Sequence, residues 1–282
     1  MSDRAAERRI ADLRGGRWIK YSRAEAVLEK LRDLYNSPRS HRMRNLLLAG
    51  ETNNGKTMIV RHFANRHKAE LHLAGESSNV PVLVVQAPPV PDEGRFYNAI
   101  LTELYAPFRL SARVDQKQQQ TINVLRAVGV KMLIIDEIHH VLAGTMQKQR
   151  HFLNTLKYLG NELRISLVAV GTRDAFNAVQ SDPQLANRFE PMVLPKWQLD
   201  DEYMRLLATF EALLQLEEPS HLDEGDLPAR ILGMSEGTIG EIASVITTAA
   251  TYVIRNGRKS IDAESLQACD YIAPSERRRQ PV

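Results

Sequence analysis

The segment Gly50–Thr57 constrains the fold of this chain more than any other part of its sequence. It reads Gly-Glu-Thr-Asn-Asn-Gly-Lys-Thr and fits the pattern G-x-x-x-x-G-K-[ST]. A short apolar run, 45–49, comes before it, and a helical pattern begins at Lys56 and continues to about residue 67. Glycines let backbone N–H groups curl around a phosphate, and the start of a helix adds partial positive charge. We therefore predict a phosphate-binding loop between a strand and a helix; a chance glycine-rich turn is the alternative.

Each position of this loop has an expected role. The Lys56 ammonium is predicted to reach the β- and γ-phosphates of a nucleotide, and the Thr57 hydroxyl to help hold Mg²⁺. The remaining predicted nucleotide contacts in the loop are Gly50, Asn53, Asn54 and Gly55.

A second motif supports the first. The apolar run 131–135 shows no alternation, as expected of a strand buried on both faces, and it ends in Asp136 and Glu137. In such sheets Asp136 is expected beside the phosphate loop, where it orients magnesium, while Glu137 polarises the attacking water. The alternative is a solvated strand end that carries two acids.

Other candidate residues follow later in the chain. His139 and His140 suggest a metal site, but no third ligand has the spacing of a known one, which favours loop or sensor residues. Thr172, after the apolar run 165–170, is either a γ-phosphate sensor or the N-cap of the next helix. Arg188 precedes the fifth predicted strand; spacing alone does not distinguish it from a solvated charge.

Strand and helix patterns alternate as far as residue 194, which predicts an α/β fold with a parallel sheet flanked by helices. After residue 200 the strand signals stop and only helical patterns follow. We predict four regions: a basic N-terminal arm (1–21), a P-loop ATPase core (22–199), a small all-helical lid (200–272) and a basic tail (273–282).

Composition excludes several classes of protein. The chain has 282 residues, a formal net charge of +3 and one cysteine, so any nucleic-acid surface is local and an intrachain disulfide is impossible. The longest apolar runs are far shorter than the ~20 residues of a membrane span. A cytoplasmic protein without membrane partners is expected.

Taken in order, these motifs resemble those of the AAA+ ATPases, and more narrowly the TniB/TnsC family of transposon ATPases. The general motifs indicate AAA+, whereas Thr52-Asn53-Asn54 and the run 237–241, Gly-Thr-Ile-Gly-Glu, indicate the transposon branch. The resemblance covers about residues 18–272 and includes the segment Leu185–Phe189. It implies an ATP- and Mg²⁺-dependent homo-oligomer, a ring or filament, that coats double-stranded DNA, recruits a transposase and works with a target-selection protein.

The resemblance also implies roles for individual residues. Thr172 becomes the first sensor, and Arg188 becomes an arginine finger that acts on a neighbouring subunit. Trp18 and Tyr21 either face the adenine or pack under the first helix. In related proteins, DNA contacts come from loops after the second strand and before the third. The basic residues of this chain in that region are Arg95, Arg109, Arg113 and Lys117.

One departure from the family pattern affects the expected activity. Many AAA+ proteins carry an arginine near the start of the third lid helix, where this chain has Ile239, Gly240 and Glu241. Slow or partner-stimulated hydrolysis is therefore expected. Two other functions stay open: a helicase loader or replication initiator, for which the residues after Ile272 leave no room for a DNA-reading domain, and a non-hydrolysing nucleotide-dependent scaffold.

Overall fold

Buried apolar runs form the strands of this protein, and amphipathic segments between them form its helices. The computed structural model describes residues 3–16, 18–67, 79–180 and 186–279. Leu185 and the last three residues of the predicted tail lie outside the described residues. The chain divides into two compact units, one made of Met1–Arg23, Glu51–Gly55 and Pro195–Val282, the other of Ala24–Gly50 and Lys56–Leu194.

The larger unit, Ala24–Gly50 with Lys56–Leu194, contains the sheet and its helices. Its strands, in chain order, are β1 (Asn45–Gly50), β2 (Val82–Gln86), β3 (Met132–Asp136), β4 (Ser166–Gly171) and β5 (Phe189–Leu194). The helices in the described part of the chain are α1 (Asp3–Arg14), α2 (Ser22–Asn36), α3 (Lys56–Arg66), α4 (Glu93–Glu103), α5 (Val114–Ala127), α6 (Met146–Leu163), α7 (Arg173–Gln180), α8 (Asp201–Leu214), α9 (Leu227–Ser235), α10 (Ile239–Arg255), α11 (Ala263–Ala268) and α12 (Pro274–Arg277), with a 3₁₀ helix at Ile138–Ala143.

All strand pairs in the sheet are parallel, in the order β2-β3-β4-β1-β5, which confirms the predicted fold class. The central strands β1, β3 and β4 are buried along their whole length. Parallel strands place their carboxyl ends at one edge, so Gly50, Asp136 and Gly171 end at the same edge of the sheet. Ligands of open α/β sheets bind outside this edge.

The smaller unit is helical and has its own core, made by α8, α9 and α10 around Tyr203, Phe210 and Ile246. The predicted N-terminal arm contains a helix, α1, which packs on α10. Ile10 is buried, and Glu7 forms an ion pair with Arg255 at 3.3 Å. Two apolar residues, Ile10 and Leu13, lie one helical turn apart in this segment. The high share of arginines makes this apolar pair hard to recognise in the sequence.

Within the described ranges, no single helix is both long and apolar enough to cross a membrane. The pair α9 and α10, bent by 119°, meets the length and composition test only when its members are taken together.

Candidate functional site

The phosphate loop begins and ends on residues that the larger unit holds in place. The Lys56 ammonium donates to the Gly50 carbonyl at 3.0 Å, and the Lys56 side chain is buried. A Cβ on Gly50 would lie 3.0 Å from the carbonyl oxygen of Leu194, so a larger residue would push β5 away. The lysine predicted to bind phosphate is therefore fixed at the carboxyl edge of the sheet, as the first residue of α3.

The Thr57 hydroxyl donates to Oδ2 of Asp136 at 2.7 Å, which brings the two predicted magnesium ligands together. Asp136 is buried at the end of β3, and its other oxygen, Oδ1, accepts the Glu137 N–H at 2.9 Å. A hydroxyl and a carboxylate are hard oxygen donors of the kind that Mg²⁺ prefers. The donor set therefore fits the predicted ion.

Glu137 adopts an unusual backbone conformation, with φ 56° and ψ 36°, in the left-handed region. Its carboxylate is partly exposed and lies 3.1 Å from Nδ1 of His139. Ligand atoms of Glu137, His139 and His140 all lie within 4.8 Å of one another. Glu137 is thus the third donor that sequence spacing did not supply, but an ion bound there would occupy the carboxylate that is predicted to activate water.

Thr172 follows the last residue of β4, and the pairing of Ala49 with Gly171 sets it level with Gly50. Its hydroxyl oxygen is buried and has no hydrogen-bond partner among the described residues. It therefore makes no side-chain cap on α7, which was the alternative to a sensor role. A buried polar atom without a partner is costly and requires an explanation, and an incoming phosphate oxygen is one.

Arg188 lies at the end of the sheet opposite to the phosphate loop, where the amino-terminal ends of the strands are. The next residue, Phe189, pairs with Asn45, the first residue of β1, whereas the phosphate loop follows the last residue, Gly50. At about 3.3 Å per residue, β1 separates these ends by about 17 Å. The Arg188 guanidinium instead donates to Oδ1 of Asn161 at 2.7 Å. Arg188 is thus too far away to act on the phosphates of its own loop.

The middle of the phosphate loop, Glu51–Gly55, belongs to the smaller unit and caps a helix of that unit. The N–H groups of Ile239 and Gly240, at the start of α10, donate to Oδ1 of Asn54 at 3.4 Å and to the Asn53 carbonyl at 3.0 Å. Thr238, the N-cap residue, makes no side-chain cap of its own. A Cβ on Gly240 would overlap the Asn53 side chain. The two sequence signatures of the transposon branch therefore lie in direct contact.

The side chains of both asparagines serve this packing. Asn54 is buried and also donates to the Pro195 carbonyl at 3.1 Å, while Asn53 donates to Oε1 of Glu241 at 3.0 Å. Asn53 has φ 60°, a conformation that asparagine tolerates better than most residues. The side chains of both predicted nucleotide-contact residues are therefore engaged in hydrogen bonds within the protein.

Tyr21 packs beside the same loop. Its ring meets the Trp197 ring edge-on at a centroid distance of 5.4 Å, and burial raises the pKa of Tyr21 to about 12. Gly55 has φ 80°, and a Cβ there would lie 3.3 Å from the Tyr21 hydroxyl and 3.1 Å from Ile239. Tyr21 therefore packs against Trp197 and beside the phosphate loop, whereas the packing predicted for it was under the first helix.

The four basic residues predicted to contact DNA differ in exposure. Arg95, on α4, and Arg109, in the following loop, are exposed, as is Arg113, which pairs with Asp115 at 3.3 Å. Lys117 is only 7% exposed, and its ammonium donates to the Leu110 carbonyl at 2.9 Å. This burial corrects the expectation that Lys117 contacts DNA. The Lys117 ammonium is hydrogen-bonded to the loop before α5 and is not exposed for a contact with DNA.

Glu241 was noted in the sequence as part of the run 237–241 and for the arginine that it replaces, and the structure makes it the centre of a hydrogen-bond network. In addition to the hydrogen bond from Asn53, the Glu241 carboxylate accepts hydrogen bonds from the Tyr271 hydroxyl at 2.7 Å and from the Arg277 guanidinium at 3.1 and 2.7 Å. No spacing rule links residues 241 and 277. The available signal was a carboxylate within a largely apolar helical segment, which the sequence-based prediction did not use.

Solved structures of several AAA+ proteins share this fold. The ORC2 protein of Aeropyrum pernix, in ADPNP–ADP complexes, is 16% identical with a TM-score of 0.64, covering 91% of this chain and 70% of that one. The Aeropyrum pernix ORC1 protein in complex with DNA is 16% identical, with a TM-score of 0.58 and coverage of 92% and 68%. CDC6p from Pyrobaculum aerophilum is 19% identical, with a TM-score of 0.59 and coverage of 90% and 68%.

Among curated proteins, the ATP-dependent Clp protease ATP-binding subunit ClpL of Lactococcus lactis subsp. lactis is 25% identical over 158 residues. The match covers 54% of this chain but spans only 19% of the length of ClpL. The family model described as bacterial TniB protein matches residues 9–199, which include the phosphate loop, both strand-end acids and Arg188. This match confirms the resemblance found in the motifs, and the chain belongs to the TniB family of AAA+ ATPases.

Proposed function

We propose that this protein is an ATP-dependent, DNA-binding regulator of transposition, which oligomerises on duplex DNA and recruits or activates a transposase. The observation that best supports binding of ATP is the 2.7 Å hydrogen bond from Thr57 to Asp136, together with the buried Lys56. Membership of the TniB family supports the transposition part. A target-selection protein is the second partner that we expect.

In the proposed reaction, Lys56 binds the β- and γ-phosphates, while Thr57 and Asp136 hold Mg²⁺, which supplies positive charge to the phosphate oxygens when bound. The Glu137 carboxylate accepts a proton from the attacking water, and the Thr172 hydroxyl donates to the γ-phosphate. Burial of Asp136 and of the Thr172 hydroxyl supports these roles, since buried polar groups are stable only with partners.

Arg188 acts on the nucleotide of a neighbouring subunit in this proposal. Its place at the amino-terminal edge of the sheet, about 17 Å from Gly50 along β1, supports action in trans. Hydrolysis then requires assembly, and the active unit is a ring or a filament.

The exposed arginines Arg95, Arg109 and Arg113 are the proposed DNA contacts of each subunit. With a net charge of +3, one chain offers few cations, whereas an assembly adds the contacts of many copies. Such contacts to phosphates carry no sequence information, so the binding is expected to be weakly selective and sensitive to salt.

The test compares wild type with Lys56→Ala in nucleotide binding and in duplex-DNA binding across a salt series. Wild type should bind DNA only with ATP, with affinity falling steeply as salt rises. Lys56→Ala should lose both activities because the ammonium that compensates the phosphates is gone. Lys148→Ala, which removes an exposed lysine of α6, is the matched control and should behave as wild type. Tight DNA binding by a monomer without ATP would refute the proposal.

A second candidate is a nucleotide-dependent scaffold that does not hydrolyse ATP, which is favoured by Glu241 at the place of the usual lid arginine. Single-turnover hydrolysis, with and without duplex DNA, separates the two. DNA-stimulated turnover that is lost in Glu137→Gln supports the ATPase, and binding without turnover in either condition supports the scaffold.

A further inference from the structure

Glu241 places a negative charge against the loop proposed to bind a polyanion. It lies in the first turn of α10, its side chain is only 10% exposed, and its Oε1 accepts from Asn53 of the phosphate loop at 3.0 Å. The start of a helix favours a carboxylate. For an incoming triphosphate, however, the same carboxylate is repulsive unless another group cancels its charge.

Arg277 is the group that cancels it. Its Nη1 and Nη2 donate to the two carboxylate oxygens of Glu241 at 3.1 and 2.7 Å, the bidentate geometry that arginine forms with carboxylates. The Tyr271 hydroxyl adds a third donor at 2.7 Å. Burial alone would raise the pKa of Glu241, but the hydrogen bonds from Arg277, Tyr271 and Asn53 outweigh it and lower the pKa below its ordinary value. Glu241 is therefore ionised and paired.

The segment that carries Arg277 is fixed on the helical unit by further contacts. The Ser275 N–H donates to Glu236 at 2.7 Å, and Nε of Arg277 donates to the Ile272 carbonyl at 2.8 Å. The Arg277 guanidinium also lies over the Tyr271 ring, 5.4 Å from its centroid. The first residues of the predicted tail, 273–277, thus belong to a docked segment, 271–277, whose last residue, Arg277, pairs with Glu241.

We propose that Arg277 is a positioning residue for nucleotide binding, which neutralises Glu241 and thereby keeps the Asn53 side of the phosphate loop receptive to a polyphosphate. Arg277 acts through Glu241 and does not touch the nucleotide. This inference rests on the proposed nucleotide-binding function.

The distinguishing experiment is a double-mutant cycle in the full chain, with Kd measured for a fluorescent ATP analogue. Arg277→Ala leaves the Glu241 charge uncompensated and should raise Kd by about tenfold, a typical coupling between two sites. Glu241→Gln should bind nearly as wild type, and Glu241→Gln with Arg277→Ala should recover most of the loss. Arg277→Lys keeps the charge without the bidentate fork and should lie between wild type and Arg277→Ala.

Arg279→Ala is the matched control, since it removes an exposed arginine two residues further along the same segment. The effect should appear in KM and not in kcat at saturating ATP, because the charge on Glu241 alters binding of the phosphates. If Arg277→Ala does not fold, the comparison of Arg277→Lys with its Glu241→Gln double variant tests the same coupling.

Two results would overturn the inference. In one, Arg277→Ala and Arg279→Ala both bind as wild type. In the other, the double variant binds as weakly as Arg277→Ala alone, which would make Arg277 a direct ligand. Failure of wild type itself to bind the analogue would instead refute the proposed function.

Discussion

At the scale of single residues, Glu137 combines a reactive position with a backbone conformation that is unfavourable for it. A non-glycine residue in the left-handed region costs about 1–2 kcal/mol. The carboxylate gains little in return, since it is partly exposed beside the His139 ring, whose Nδ1 lies 3.1 Å away. Such strain often occurs where function requires a side chain to point in one direction. Here the left-handed residue follows directly after the last residue of β3.

We predict that Glu137→Gly makes the protein more stable and inactive. Glycine relieves the left-handed strain, so the free energy of unfolding should rise by about 1 kcal/mol, while hydrolysis is lost with the carboxylate. Urea unfolding and ATP turnover measure the two effects. Glu137→Gln is the control: it keeps the strained backbone, so it should lose turnover without gaining stability. Equal stability of the two variants would mean that the turn stores no strain.

At the scale of elements, Glu211 of α8 holds the loop that leads from this helix to α9. Its carboxylate accepts the backbone N–H groups of Ser220 at 2.6 Å, His221 at 2.9 Å and Leu222 at 2.8 Å. Burial alone would raise the pKa of Glu211, but these hydrogen bonds outweigh it and lower the pKa. A carboxyl group whose pKa is depressed by folding stabilises the protein above its unfolded pKa, and this contribution is lost as the pH falls through the folded value.

Glu211→Gln should therefore lower the free energy of unfolding at pH 7 by about 1–3 kcal/mol, because the neutral amide offers one weaker acceptor to three donors. The difference from wild type should shrink as the pH falls from the ordinary pKa of a glutamate through the lowered pKa of Glu211, where the wild-type carboxylate becomes protonated. Urea unfolding at several pH values measures it. Glu217→Gln, at an exposed position nearby, should show neither effect. A difference that stays constant with pH would contradict the assignment.

The predictability of elements from the sequence followed the strength of their hydrophobic patterns. The buried strands β1, β3 and β4 are continuous apolar runs, and each was predicted to within a residue or two. The helix α1 was missed because arginines dominate its composition, and α12 because a four-residue helix carries no periodicity. Such short or polar elements depend on contacts with the rest of the fold.

The residues of the candidate site also differ in how well the sequence predicted their positions and contacts. Lys56, Thr57 and Asp136 were predictable because a motif and a strand end bring them together in every sheet of this type. The burial of Lys117 and the pairing of Glu241 with Arg277 were not, because both depend on how distant segments pack. Charge in a sequence does not reveal whether a side chain faces solvent or a carbonyl group.

At the scale of the whole molecule, the proposed role of Arg188 would link catalysis to assembly. Arg188→Ala should retain ATP binding but lose hydrolysis by roughly 10³–10⁵-fold, the effect of losing a trans-acting arginine in other phosphoryl-transfer enzymes. Mixed with Lys56→Ala, it should regain some turnover, since those interfaces in which the Arg188→Ala subunit supplies the phosphate loop and the Lys56→Ala subunit supplies the arginine are intact. Steady-state hydrolysis of the mixture measures this.

Arg150→Ala, at an exposed position on α6, is the control for this experiment and should hydrolyse ATP as wild type does. Normal turnover by Arg188→Ala would contradict the finger assignment. A mixture that co-assembles yet stays as inactive as both parents would contradict it as well.

The capping of α10 by the phosphate loop limits how this protein can be re-engineered. The N–H groups of Ile239 and Gly240 depend on Asn53 and Asn54, and Gly240 has no side chain because Asn53 fills that space. A loop grafted from another ATPase would leave those N–H groups without acceptors and place a foreign side chain against the helix. Segments 51–55 and 237–241 therefore form one exchangeable cassette, and chimeras that swap only one of them should misfold locally.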